Sequence, residues 1–282
     1  MRHVSLPSFP AHLKALGRRP GTIDSYCGIV ERFLRSVSCP PEETTSEHVY
    51  AFLVARCAAS GISSSWYNVN YHAMVLWLKM RGLDADLRGL APQRIHRQPP
   101  RWLTEDELRQ LLAATEQRHF RLFFQLMAAT GLRISEGLAL RVSDMTKSPA
   151  LLRVRCGKGG DGRLVPIPPT LLLRLRDYWR TFRPTGVLFQ RKPGIDDRPM
   201  LASTVNAALH RAAERAGFTE QISSHRLRHS FAFHSLQRGM HIVALKEVMG
   251  HRCLESTIRY VTPDMARDGR MIDLLADLGV AE

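Results

Sequence analysis

The chain has 282 residues, and 40 Lys and Arg against 26 Asp and Glu give it a formal charge of +14. With 44% hydrophobic and 23% charged residues it has the make-up of a folded protein, which excludes a mainly disordered chain. No apolar run reaches the ~18 residues of a membrane span, and Met1–Pro7 lacks the apolar stretch of a signal peptide, so a cytoplasmic protein is expected.

Thr22 to Val37 places Ile23, Tyr26, Val30, Phe33, Leu34 and Val37 at helical spacing, with Arg32 and Arg35 on the polar side. The pattern returns over Ser46–Ala59 and Ser63–Met80, where Gly82 is a stop signal. These segments predict a helical bundle over residues 1–91, whose aromatic residues belong to its core. From Gly89 to Pro100 there is no amphipathic period, and three prolines predict an extended linker around residues 92–101.

The second part, residues 102–282, opens on Thr104-Glu105-Asp106-Glu107, a capping box that starts a helix. Helices are predicted next over His119–Ala129 and Ile134–Leu140, separated by Thr130-Gly131. Leu151–Arg155 and Arg163–Ile167 read as two short strands around a glycine-rich turn that contains Lys158. Helices follow at about 170–181, 200–216, 224–238, 241–249 and 254–261. A last apolar stretch, Met271–Leu278, predicts a tail helix. The fold class is therefore mainly α, with one small β-hairpin in the C-terminal domain.

Charge points to the partner. Residues 1–100 carry 12 basic and 7 acidic side chains (+5), and residues 101–282 carry 28 and 19 (+9). Of the 40 basic residues 34 are Arg, whose planar forks grip phosphate oxygens two at a time. A codon bias toward arginine would account for the Arg/Lys ratio, but not for the net excess, so a nucleic acid is the expected partner and a membrane is not. The five cysteines form no Cys-x-x-Cys pair, which argues against a disulfide framework or a zinc ribbon.

Four places could carry chemistry: Arg133 just after a helix break, Lys158 at the hairpin tip, His225 and Arg228 on one helix face, and His251 followed nine residues later by Tyr260. Taken singly, each has an ordinary explanation. Arg133 could pair with Glu136, Lys158 could be solvated, and Tyr260 could be a core tyrosine with its hydroxyl satisfied. His225 and His229 have zinc spacing, but Arg226 stands where a metalloprotease helix has Glu. Together the six suit transesterification at a phosphodiester. Guanidinium groups stabilise the charge on the non-bridging oxygens, a phenol attacks, and Lys or His protonates the departing sugar oxygen. No Asp/Glu cluster of the kind that holds two Mg²⁺ ions is evident, which counts against ordinary nucleases and polymerases.

These stretches resemble the tyrosine recombinase (phage integrase) family. The resemblance rests on Ala129–Glu136, Gly157-Lys158-Gly159 leading to Arg163-Leu164-Val165-Pro166, His225–Ala232, Met249-Gly250-His251 and Ser256–Tyr260, in family order and spacing. It implies that Arg133 and Arg228 hold the scissile phosphate and that His251 donates a hydrogen bond to it. By the same resemblance His225 is a general acid/base, Lys158 protonates the leaving 5′-oxygen, and Tyr260 forms a 3′-phosphotyrosine bond, with neither cofactor nor metal. Glu136 would support the fold around Arg133. Residues from about Phe9 to Leu90 resemble, less specifically, the helical (SAM-like) core-binding domain of a minimal two-domain Xer-type member, which makes residues 1–91 that domain and residues 102–282 the catalytic domain. The implied partners are a double-stranded DNA site, further copies of the chain (a dimer on one site, a tetramer in the synapse) and a second recombinase or accessory protein.

Two departures stand out: Met249 where the family often has Leu, and Val261-Thr262-Pro263 after the tyrosine rather than the frequent Thr-His. Two other readings share the DNA partner. One is a catalytically idle accessory or architectural protein, and the other is a type IB topoisomerase-like relaxing enzyme.

Overall fold

In a computed structural model, residues 8–58, 62–95, 100–146, 148–155, 162–262 and 265 are described. The chain forms two compact units, Met1–Arg97 and Gln98–Glu282. No described helix is long and apolar enough to cross a membrane.

Among the described residues the first unit holds four α-helices, α1 (Ser8–Ala15), α2 (Pro20–Ser36), α3 (Ser46–Ala58) and α4 (Ser64–Met80). Pro20 opens α2, where its missing N–H costs nothing. Ser63 caps α4 by accepting from Trp66 N at 3.2 Å. At the other end of α4, Gly82 has φ +71°, and Gly82 N and Leu83 N donate back to the Lys79 and Leu78 carbonyls. That left-handed closure is the reason a glycine stands there. The core joins Val30, Phe33, Leu53 and Met74 to Trp77, whose ring meets Phe9 edge-on at 5.5 Å. Trp77 and Tyr67 are buried as core aromatics, whereas Trp66 is half-buried beneath Arg32 and Arg56. Helix α1 goes beyond the helices read from the sequence. It is short, and Phe9 and Leu13 define its buried face only once Trp77 is beside them. Part of the expected linker is fastened down: Asn68 on α4 donates to Gln93 O at 2.8 Å and accepts from Gln93 N at 2.7 Å.

The second unit begins with α5 (Glu105–Ala113), where Thr104 and Glu107 form the expected reciprocal cap. Its central helix is α6 (Arg118–Thr130), which buries Phe120, Phe123, Phe124, Leu126 and Met127. A helix apolar on most sides has to be enclosed, and here α5, α8 and α10 pack on it. After α7 (Ile134–Ala139) the two strands β1 (Leu151–Val154) and β2 (Arg163–Pro166) pair antiparallel, with Leu152 opposite Val165. Helices α8 (Pro169–Phe182), α9 (Ala202–Arg215), α10 (Ser224–Gln237), α11 (Ile242–Met249) and α12 (Glu255–Ile258) complete the described elements.

Helix α10 is anchored at both faces. Ser230 Oγ accepts from Leu103 N and His234 Nε2 lies 2.8 Å from Leu103 O, while Phe233 stacks on Trp102 at 3.9 Å. On the other side Ala232 joins Leu245, Met249 and Tyr260 in a separate small cluster. The last helix is shorter than the periodicity suggested. It ends at Ile258, and Tyr260 follows in a turn closed by Tyr260 N to Thr257 O at 3.1 Å. The tail Met271–Leu278 lies outside the described residues.

Candidate active site

The site is assembled at the C-terminus of α11, whose last carbonyls have no partner within their own helix. Three arginines from three different elements take three successive carbonyls. Arg163 Nε on β2 donates to Val248 O at 2.6 Å, Arg228 Nη2 on α10 to Met249 O at 2.7 Å, and Arg133 Nη2 to Gly250 O at 3.1 Å. The negative end of a helix dipole favours cations at this position. Gly250 turns the chain at φ +64°, and a Cβ there would lie 2.7 Å from Arg163 Nη1. Glycine is required for that approach.

Arg133 is placed by the end of α6. Gly131 caps that helix at φ +64° and lies against the Phe231 ring of α10, with no room for a side chain between them. Two residues later Arg133 starts α7, and its backbone N donates to Glu136 Oε2 at 2.8 Å. Its Nη1 meets Glu136 Oε1 at 2.8 Å, so the local ion pair considered from the sequence is formed. The same carboxylate takes both terminal nitrogens of Arg163, at 3.0 and 2.8 Å. Burial pushes the Glu136 carboxyl up. Hydrogen bonds from Arg163 and Arg133 outweigh it and hold the group down to about 2.

Arg228 is 5% exposed and also donates to Gly131 O, which links α10 to the end of α6. Burial, aided by Arg133 and Arg163 and opposed by Glu136, draws it down to about 10, still charged at neutral pH. Three guanidiniums against the one carboxylate that touches them leave a net +2 (3 − 1) around this point, among the described residues.

Tyr260 is 2% exposed, packed with Met249, Leu245 and Ala232. Its hydroxyl lies 2.8 Å from His229 Nδ1, and its ring is nearly parallel to that of His251 at 6.4 Å. Burial raises the phenol above its ordinary value, although Arg228, Arg259 and Arg133 pull the other way. His251 Nδ1 pairs with Thr257 Oγ1 at 2.9 Å, which fixes its ring. Burial and then the surrounding arginines, Arg228 first, push His251 down to about 4, so it is neutral at pH 7. Burial, His225, Arg259 and Arg228 do the same to His229, also to about 4.

The structure thus gathers Arg133, Arg228, His251 and Tyr260 at one place. His225 is exposed on the first turn of α10, one turn from His229, with 6.5 Å between the rings. Lys158 lies outside the described residues, although the strands on either side of its turn are in place. Among the described residues no three His, Cys, Asp or Glu side chains come together as a metal site would need. Two residues that matter here were not singled out from the sequence. Both lie in stretches that carry the family resemblance, but Arg163 was given no role beyond its strand, and His229 was weighed by itself only as a metal-spaced neighbour of His225.

Residues 101–267 match the phage integrase family. The chain belongs to that family. Among curated relatives, the tyrosine recombinase XerA of Pyrococcus horikoshii is 30% identical over 256 residues, 90% of this chain and 87% of the relative. The tyrosine recombinase XerC of Chromobacterium violaceum is 30% identical over 94% of this chain and 92% of its own length. The integrase fold extends over both units. A crystal structure of a lambda integrase dimer bound to a COC′ core site aligns with a TM-score of 0.74 at 17% identity, covering 95% of this chain and 78% of that one. A crystal structure of XerH bound to palindromic difH substrate gives 0.69 at 17% identity over 98% of this chain and 84% of that one. This member of the family is a tyrosine-type site-specific recombinase.

Proposed function

We propose that this recombinase cuts and rejoins double-stranded DNA at a specific site, with Tyr260 as the nucleophile. The observation that carries the reading is the net +2 of Arg133, Arg163, Arg228 and Glu136 held beside a phenol. A phosphodiester brings one negative charge into that space, and its pentavalent transition state brings more. Arg133 and Arg228 hold the non-bridging oxygens. His251, with Nδ1 paired to Thr257 Oγ1, donates a hydrogen bond to the phosphate from Nε2 in the tautomer where the Thr257 hydroxyl donates to Nδ1. The Tyr260 oxygen bonds to phosphorus as the bond from phosphorus to the 5′-oxygen breaks. Lys158 gives that oxygen its proton, and His225 assists as general acid/base. The phosphotyrosine keeps the energy of the broken bond, so resealing by another 5′-hydroxyl needs no ATP.

The domain assignment follows the same reading. Residues 1–91 are a core-binding domain, 92–101 a linker and 102–282 the catalytic domain. The compact units and the basic charge of both parts support this. The chain works as a dimer on one site and a tetramer in the synapse, in the cytoplasm, where the DNA lies.

DNA crosslinked to the protein and sequenced supplies the site, and a nicked suicide duplex built on it tests the reaction. A covalent adduct that forms in EDTA and disappears in Tyr260→Phe supports the reading. An adduct that survives Tyr260→Phe removes the nucleophile. DNA binding without any adduct favours an idle accessory protein, and relaxation of plasmid with no site requirement favours the topoisomerase-like enzyme.

A further inference from the structure

One proton transfer still lacks a partner in contact with the proton: His225, the general acid/base of the reading above, is exposed and one helical turn from the residue that touches the phenol. Tyr260 attacks as an oxygen nucleophile and has to lose its hydroxyl proton, while Lys158 and His251 are occupied with the leaving oxygen and the phosphate. Among the described residues, one side chain is hydrogen-bonded to the Tyr260 hydroxyl: His229, through Nδ1 at 2.8 Å. We propose that His229 is a catalytic residue of this recombinase, the base that takes the phenol proton during cleavage and returns it on resealing.

The placement supports the role. His229 directly follows Arg228 on α10, a helix pinned to Leu103 through Ser230 and His234, so the base and the phosphate-holding guanidinium are carried on one rigid piece. A phenol oxygen brought to a phosphate on Arg228 stays beside His229. Among the described residues, the groups that face the His229 ring are His225 and Arg228 on its own helix, Arg259 after α12, and Tyr260. Burial first, and then the positive charge beside it, keeps the imidazole neutral, which is the form able to accept a proton. Arg228 carries part of that charge, so a phosphate anion on Arg228 offsets its field and makes the imidazole more basic as substrate arrives. Base and substrate are thereby coupled.

The step balances. The bond from Tyr260 Oη to phosphorus forms as the bond to the 5′-oxygen breaks. The phenol proton goes to His229 Nδ1, leaving an imidazolium, and the 5′-oxygen takes a proton from Lys158. Resealing reverses both transfers. This role is separate from that of His225, which is exposed and one turn away.

The inference rests on Tyr260 being the nucleophile, and two measurements keep the questions apart. The first needs no catalysis: ¹⁵N NMR of the histidines in the full, DNA-free chain, with the His229 resonances assigned by His229→Asn. A bare Nδ1 with the proton on Nε2, perturbed in Tyr260→Phe, is expected. A protonated Nδ1 overturns the proposal, because such a nitrogen can only donate to the phenol. The second uses the nicked suicide duplex with either an oxygen or a sulfur leaving atom at the 5′ position. His229→Asn is expected to slow adduct formation about 100-fold with both, while the sulfur relieves Lys158→Ala. Free imidazole is expected to restore His229→Ala in proportion to its unprotonated concentration. A His229→Asn rate within threefold of the unsubstituted protein overturns the proposal, as does relief of its defect by the sulfur leaving atom. No adduct from the unsubstituted protein counts against the nucleophile reading, and the NMR result stands independently of it.

Discussion

Arg163 and Glu136 meet through two parallel hydrogen bonds, Nη1 to Oε1 at 3.0 Å and Nη2 to Oε2 at 2.8 Å, with both side chains largely buried. The pair ties β2 to α7, and a third Arg163 bond reaches Val248 O on α11. Glu136 also holds Arg133 from the other side. One carboxylate therefore sets the spacing between two guanidiniums that would otherwise repel, and its role is structural support for the cationic site.

Glu136→Gln tests that role through pH. The folded carboxyl is held down to about 2 from an ordinary 4.5, so it is more readily protonated in the unfolded chain. Its contribution to stability is complete above pH 4.5 and disappears as pH falls towards 2. It amounts to about 3 kcal/mol, in line with the cost of breaking a buried pair. Urea unfolding is expected to show the variant weaker by about that amount at pH 7, with the gap narrowing at pH 3. An equal gap at both pH values contradicts the account.

Gly131→Ala tests the junction of α6 and α10. The residue sits at φ +64°, and a methyl group would overlap the Phe231 ring. The left-handed backbone costs about 1 kcal/mol and the overlap about 1–3 kcal/mol more. A thermal melt is expected to show a clear loss of stability. Because Gly131 O also accepts from Arg228, the adduct rate is expected to fall with it. A variant as stable as the original refutes the close approach.

Much of this fold is legible in the sequence because it is local. The Thr104–Glu107 box, the Gly82 and Gly131 stops and the two short strands are decided within a few residues, and each appears where the pattern puts it. Helix α1 was not legible, since Phe9 and Leu13 acquire meaning only against Trp77, far along the chain. Arg133, Arg228, His251 and Tyr260 were legible as a set because the family motifs carry them. Arg163 and His229 were not. Their roles come from partners 27 and 31 residues away, Glu136 and Tyr260, and no local spacing signals such contacts.

Arg228→Lys separates charge from geometry. A lysine keeps the positive charge but offers a compact ammonium in place of a planar fork, so it cannot serve both the Gly131 and Met249 carbonyls. One buried carbonyl left unpaired costs about 1–3 kcal/mol, and loss of the positioned donor is expected to lower the adduct rate about 10²–10³-fold. Thermal melts and timed adduct assays read the two effects separately. A near-normal rate in this variant rules out a bidentate role for Arg228.

The claim at the centre of the account is that the Tyr260 oxygen becomes bonded to the 3′-phosphate of a cut strand. Protease digestion of the trapped protein–DNA adduct, followed by fragmentation mass spectrometry, addresses it directly. The account predicts a nucleotide on the peptide containing Tyr260, joined through its 3′-phosphate, with a free 5′-hydroxyl on the released strand. A nucleotide found on any other side chain, or a 5′-phosphate link, contradicts it.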